Sequence, residues 1–517
     1  MVERGDAGVP TERSVVWLKR DLRLHDHAPL CAAVARGPVL PLYVFEPELW
    51  QQPDASFRHW SFTRDSLQEL DETLQGLGGK LIVRHGSIVA ALTQLQREIG
   101  RFDLHSHEET GNDWTFARDR EVAVWCRENG IHWNESPTNG VVRRLRERDG
   151  WAAARNAVIT APQRPAPATT RFISSASEPL PAADDARVGE IEGRVQRGGR
   201  RDGLKVLASF LDDRSRNYMR SISKPGVSAR HCSRLSAHLA YGTLSAREVD
   251  HAAAHRMQEL DESNDPSSGY WSRQIAAFRA RLAWRCHFVQ KLEQQPSIEF
   301  RCMHPAFEPM RADGHREDFF DAWCNGQTGY PLIDACMRSL RANGWITFRM
   351  RALVVSFASY QLWLDWRRTG PVLARLFTDY EPGIHYSQLQ MQSGVTGINA
   401  VRLYNPVKQS LEHDTEGKFI RRYVPELADL PTEFIHAPWQ LAAPPAGYPM
   451  RIVDHEHAAR EARQRMAPYW REESFREQAK AVFRKLGSRN RPPERRKRRG
   501  AQSVAPPEPQ LDLDLQS

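Results

Sequence analysis

Apolar residues in the first part of the chain come in short dense runs. Longer stretches, in which they recur every three or four positions, separate the runs. SVVWLKRDLRL, VLPLYVFEP, KLIVRHG, RFDLHSHE and GIHWNESP have the runs expected of strands. Between them, FRHWSFTRDSLQELDETLQGLGG, SIVAALTQLQREIG and DWTFARDREVAVWCRENG carry the helical period, and glycines close the first. This alternation predicts an α/β domain over residues 12–140: a doubly wound parallel sheet with helices on both faces. No GxGxxG follows the first strand, so the usual dinucleotide fingerprint is missing.

The pattern changes after residue 140. APQRPAPATTRFISSASEPLPAADD, inside 141–202, is rich in Pro, Ala and Ser without sustained periodicity, and predicts a surface linker. Helical periodicity then dominates 203–480, predicting a large all-α domain. Within it, Pro331 suits a first helical position, and Asn343-Gly344 suits a helix end. Residues 481–517 turn basic and then acidic, and read as a disordered tail. One stretch fits neither period clearly. HYSQLQMQSG (385–394) places Gln388, Gln390 and Gln392 at every second position, which suits an exposed strand edge or a loop over a cavity.

Length and composition narrow the class. The 517 residues, 40% hydrophobic and 26% charged, point to two domains of a soluble protein. No apolar run reaches membrane-spanning length, and the N-terminus lacks the apolar core of a secretion signal, so a cytoplasmic protein with no membrane partner is expected. The seven cysteines include no CxxC pair, which argues for reduced thiols and against a metal site. A net charge of +8 admits a polyanionic partner such as DNA. No Ser-His-Asp order, HExxH or phosphate loop is present. A monomer is expected.

Three stretches could carry chemistry. In SRLSAHLAYGTLSAREV, Ser233 and Ser236 flank Arg234 before a helix-like run, where hydroxyls and free N–H groups suit a phosphate or simply a helix cap. In FRARLAWRCHFVQKL, Phe278, Arg281, Arg285 and Phe288 fall on one helical face beside Trp284. Cations among aromatics suit phosphates and stacked rings, or a solvated face over a core. In WITFRMRALVVSFASYQLWLDW, Arg349 and Arg351 sit in an apolar helix and need a counter-charge, which Asp379 or Glu381 could supply.

In this order, VVWLKRDLRLHDHAPL, SRLSAHLAYGTLS, TGYPLIDACMRSLRANGW and LYNPVKQSLEHDTEGKFIRRYVPEL resemble the photolyase/cryptochrome family over about 12–140 and 203–475. The resemblance implies an antenna-bearing α/β domain and a helical domain that buries FAD. It also admits a second chromophore, a folate or a deazaflavin. In the family's repair enzymes a pyrimidine dimer is flipped out of DNA towards the flavin, and light drives an electron from reduced FAD to the dimer. By position, Tyr218, Cys232, Ser233, Arg234, Leu235 and Ser236 match the FAD diphosphate and ribityl contacts. Phe278, Arg285, Arg351, Asp379, Tyr380, Glu381 and His385 match the flavin surroundings. Trp284 matches the ring that stacks on the dimer. Arg281, Trp284, Arg285, Phe348, Arg349 and Gln409 match DNA-facing positions, and Trp366 matches the middle member of an electron-relaying tryptophan chain.

Several positions depart from the family pattern. Cys232 stands at a usual Thr, Phe278 at a usual Trp, Arg281 at a usual Glu, Phe348 at a usual Asn, and Ala352 at a usual Met. The flavin-proximal relay position falls at Leu389 or Gln390, and the distal one near Asp313. His385 or Tyr386 stands where repair enzymes place an Asn against flavin N5, and the glutamine stretch is expected to close the flavin pocket. The expected function is light-driven, FAD-dependent repair of cyclobutane pyrimidine dimers. The alternative is a cryptochrome-like photoreceptor that binds FAD without repair.

Overall fold

Strands β1 (Ser14–Leu18), β2 (Val39–Phe45), β3 (Ile82–His85), β4 (Asp103–His107) and β5 (Trp133–Ser136) form one parallel sheet in the order β3-β2-β1-β4-β5. The computed structural model describes residues 12–168, 170–182, 193–312, 316–443 and 445–489. Central β1 pairs with two neighbours, Val15 opposite Leu40 on one side and Leu104 on the other, and all five of its residues are buried. Val15 and Trp17 pack with Leu92 and Leu95 beneath the sheet, while Val16 and Leu18 pack with Trp60 and Leu67 above it. Burial on both faces is why β1 and β2 read as apolar runs. The covering helices include α1 (Phe57–Gly76), α2 (Ile88–Ile99) and α3 (Asp113–Glu128).

The expected linker contains more structure than its composition suggests. Helix α4 (Trp151–Thr160) lies inside it. Its extended part hydrogen-bonds along the sheet: Val39 N–H donates to the Arg171 carbonyl at 2.8 Å, and Ile173 N–H donates to Val39 at 2.9 Å. Backbone pairing of this kind needs no side-chain period, so the sequence carries no signal for it.

The helical part that builds the site comprises α5 (Ser236–Ala240), α6 (Ser268–Gln294), α7 (Pro331–Asn343), α8 (Phe348–Ser356), α9 (Trp366–Leu376) and α10 (Pro382–Ser393). A last helix, α11 (Phe475–Leu486), corrects the tail expected from 481. Leu486 is fully buried, and Phe475 stacks on His304 with centroids 4.1 Å apart, so two apolar anchors hold a segment whose surface is charged. The expected tail beyond 489 lies outside the described residues. All seven cysteines are free, and no described helix is long and apolar enough to cross a membrane.

Helix α7 starts and stops as its sequence predicts. Pro331 occupies the first turn, and Gly344 ends the helix in the left-handed region (φ 67°). A Cβ at Gly344 would stand 2.3 Å from Thr378 Oγ1 and 3.0 Å from an Arg58 guanidinium nitrogen, so a side chain there would collide as well as strain the backbone. The turn before α7 folds around the fully buried Asp334. Its carboxylate accepts from Thr328 N–H at 2.8 Å, Thr328 Oγ1 at 2.7 Å, Gly329 N–H at 3.0 Å and the Tyr448 hydroxyl at 2.5 Å. Asp334→Ala leaves those buried donors unpaired and is expected to cost roughly 3 kcal/mol. Asp334→Asn, which keeps one acceptor oxygen, should cost less. Urea unfolding of both variants checks the order, and equal losses would show that the hydrogen bonds do not set it.

Candidate functional site

A two-lobed cavity opens among α5, α6, α8, α9 and α10. The inner lobe holds about 240 Å³ and the outer about 290 Å³, and Tyr218, Ser233, Ser236, Arg351, Asp379, Glu381 and Gln388 border both. Of the residues singled out from sequence, Cys232, Arg234, Tyr380 and His385 line the inner lobe. Phe278, Arg281, Trp284, Arg285 and Arg349 line the outer one, and Phe348 touches both. The predicted face of α6 is thus the wall of the outer lobe.

Two buried ion pairs define the floor. Arg351 holds Asp379 through both carboxylate oxygens, at 3.0 and 2.8 Å. Arg285 holds Glu381 at 2.6 Å and donates to the Leu239 carbonyl at 2.8 Å. The open choice of counter-charge for Arg351 is therefore settled as Asp379, with Glu381 taken by Arg285. Burial alone would raise the Asp379 pKa, but the Arg351 guanidinium and a bond from Ser236 hold it below the usual carboxylate range. Arg285 was expected to contact DNA. It is buried and committed to Glu381, so its place is the cavity floor.

Between these carboxylates stands Tyr380, tied to the sheet domain at both ends. Its carbonyl accepts from Arg20 at 2.5 Å, and its hydroxyl donates to Asp54 at 2.5 Å. Burial and the Asp54 charge push the Tyr380 pKa well up, so it remains a donor. His385, one turn into α10, bonds through Nε2 to the Gly370 carbonyl at 3.0 Å. Burial lowers its pKa to about 4, which makes the ring neutral and Nε2 the protonated nitrogen. Burial likewise pushes the Cys232 thiol up to about 12, so it lines the lobe uncharged. Arg234 takes a left-handed backbone (φ 62°) and lays its guanidinium over the Trp345 ring at 4.1 Å.

The glutamine stretch is neither strand nor loop but the body of α10. At 3.6 residues per turn, positions 388 and 392 share one face and 390 points away. Gln388 and Gln392 line the inner lobe, and both atoms of both amides lack a hydrogen-bond partner. Gln390 is buried on the opposite side, donating to the Ile298 and Arg301 carbonyls at 2.7 Å each and accepting from Met303 N–H at 2.7 Å.

Three expected site residues lie elsewhere. The Leu235 side chain is fully buried in the core with Phe210 and Leu239. Gln409 is buried and donates to Glu412 at 3.1 Å. Trp366 is buried at the start of α9 and lines neither lobe, while Leu389, on α10, borders the inner lobe. The position near Asp313 lies outside the described residues. Away from the cavity, the sequence reading missed a cluster of Asp21, His27 and His107. Asp21 Oδ2 accepts from His27 Nε2 at 2.9 Å and lies 2.6 Å from His107 Nδ1. His27 Nδ1 is occupied by Leu30 N–H, so the ligand atoms of this cluster are already engaged with one another.

Residues 14–154 match a family model described as DNA photolyase, and residues 278–468 match the FAD binding domain of DNA photolyase. A deoxyribodipyrimidine photo-lyase from Streptomyces griseus is 30% identical over 85% of this chain and 96% of its own length. A cryptochrome DASH from Gloeobacter violaceus is 28% identical over 83% of this chain and 89% of its own length. Among solved structures, an archaeal photolyase from Sulfolobus tokodaii with two FAD molecules superposes with a TM-score of 0.73 at 28% identity, covering 88% of this chain and all of that one. A class III photolyase from Agrobacterium tumefaciens shares the fold, with a TM-score of 0.77 at 24% identity over 91% of this chain and 100% of its own. A parallel sheet feeding a helical domain, a two-lobed cavity floored by Arg–carboxylate pairs, and these matches along most of the chain agree: the protein belongs to the DNA photolyase and cryptochrome family, with an FAD-binding helical domain.

Proposed function

We propose that the chain is a light-driven lyase that uses FAD to reopen cyclobutane pyrimidine dimers in DNA. The observation that carries this reading is the outer lobe. It continues directly from the inner one, is walled by Trp284, Phe288 and Met391, and is bordered by Arg281, Arg349 and Arg402. An apolar, aromatic recess with a cationic edge suits two linked neighbouring bases turned out of one strand whose phosphates remain on the rim.

The inner lobe fits FAD on its own chemistry. The four orphaned amide atoms of Gln388 and Gln392 are buried polar groups with nothing to bond, and such groups are costly unless a ligand satisfies them. Ser233 and Ser236 offer hydroxyls, and neutral Cys232 and His385 add no charge against a flavin. The chemistry that bound, reduced FAD supplies is a photoexcitable electron for the dimer and a place for that electron to return. The protein's share is to hold the two partners adjacent and dry. Trp284 offers the stacking surface, and Arg281, which reaches the Tyr218 hydroxyl, stands where it can pair with a phosphate.

A second crevice, at the carboxyl ends of β1 and β2 between Trp50, His59 and Tyr380, holds about 90 Å³. Its Lys19 pairs with Asp119, and its Arg118 pairs with Glu46 and Glu109. That space is smaller than the inner lobe, and no step of the proposed chemistry passes through it.

The alternative reading, a photoreceptor that binds FAD without repair, is favoured by one observation. Arg281, Phe348 and Ala352, which border the two lobes, stand where the family's repair enzymes usually carry Glu, Asn and Met.

Replacing Gln388 and Gln392 together with Ala should weaken FAD binding at least tenfold, read by titrating apoprotein with FAD. Unchanged affinity would remove the amides from the flavin site. Reduced protein illuminated with a dimer-bearing oligonucleotide should consume dimers, whereas dimers that persist while reduced FAD is bound would favour the photoreceptor. Arg349→Ala should weaken DNA binding and lower its salt slope by about one phosphate equivalent. An unchanged slope would place Arg349 off the DNA.

A further inference from the structure

Trp284 also lines a separate cavity of about 280 Å³, and it is the one residue that cavity shares with the outer lobe. The other walls come from α4, from the opposite side of α6 and from residues 487–489. Its charge is unbalanced. Arg148 is 2% exposed, donates to the His287 carbonyl at 3.1 Å, and has no partner for Nε. Lys291, 4% exposed, stands one turn beyond His287 on the same helix face. Among the described residues no carboxylate pairs with either. Arg155 Nε and Nη2 and Trp151 Nε1 are buried without partners too. Arg489 alone is answered, by Asp149 at 2.7 Å on the rim.

Burial and nearby cations lower Arg148 to about 9 and Lys291 to about 7. On the floor of the flavin cavity Arg285 and Arg351 each face a carboxylate, whereas among the described residues Arg148 has none. A buried charge left without a counter-ion is costly, and a bound anion would answer it.

We propose that this cavity binds a small phosphate-bearing ligand of the mononucleotide class, its phosphate held by Arg148, Arg155 and Arg489. Guanidinium groups match a phosphate in bidentate geometry. Trp151, over which the Arg148 guanidinium lies at 5.0 Å, and Trp284 supply aromatic surface for a base. Phosphate beside a base could also come from a DNA strand. The depth of Arg148 favours the free ligand, because a duplex backbone cannot follow it inside. The site is independent of the flavin reading, since none of its residues borders the inner lobe.

The test uses full-length protein loaded with FAD, with AMP, inorganic phosphate and adenosine as probes. Flavin absorbance is followed to confirm that AMP does not displace FAD. AMP, and more weakly phosphate, should raise Tm and bind by calorimetry, while adenosine should do neither. Arg155→Gln should weaken AMP binding at least tenfold. Arg148→Gln should weaken it likewise, and Arg155→Gln carries the test alone if that variant does not fold. Failure of wild type to bind AMP at millimolar concentration overturns the proposal, as does AMP affinity unchanged in the variants. If AMP is silent and Arg148→Gln lowers the salt slope of DNA binding, the phosphate belongs to a strand and the small-ligand site falls.

Discussion

Three consecutive residues hold the architecture together. Asp379 is tied to α8 through Arg351, Tyr380 to the sheet domain through Arg20 and Asp54, and Glu381 to α6 through Arg285. Each bond reaches a different element, so one short turn between α9 and α10 sets where the two halves of the chain and the two walls of the cavity meet. Breaking one partner of a buried pair leaves the other charge stranded, which costs far more than a surface pair is worth. The turn is therefore held by penalties for rearrangement more than by any single attraction.

The same pairs set the electrostatics of the cavity. With Asp379 and Glu381 each answered by an arginine, His385 neutral and Cys232 protonated, the charge left over in the inner lobe is that of Arg234. The lobe also presents unspent hydrogen-bonding capacity on Gln388 and Gln392. A lobe of that kind selects largely by hydrogen-bond pattern and shape, while the cationic outer rim selects by charge. The two tasks are separated by a few ångströms of one cavity.

Much of the fold was legible because its signals are local. Strands β1 and β2 are buried on both faces and read as apolar runs, and α7 carries its own start and stop residues. The face of α6 was legible for the same reason: Phe278, Arg281, Arg285 and Phe288 are related by helical spacing alone. What sequence could not supply was tertiary choice. Nothing local tells Arg285 to turn to Glu381 and not to DNA, or Leu235 to enter the core. The glutamine stretch misled for a different reason. Helix α10 is buried on several sides, so it has no polar face to show a period, and alternating amides suit a strand as well as a helix. The linker's pairing along β2 is made by backbone atoms and leaves no trace in side-chain chemistry.

The bonds at Tyr380 also bear on how the chain folds. Its carbonyl meets Arg20 across 360 residues of sequence, and its hydroxyl meets Asp54 across 326. Contacts so distant carry a large loop-closure cost and form after local helices and the sheet exist. A ribosome must therefore deliver most of the helical domain before the cavity floor can close against the sheet, and until then Asp54 has the Asn112 amide but not the Tyr380 hydroxyl. Cofactor capture belongs to the end of that sequence, when a finished chain clasps its own beginning.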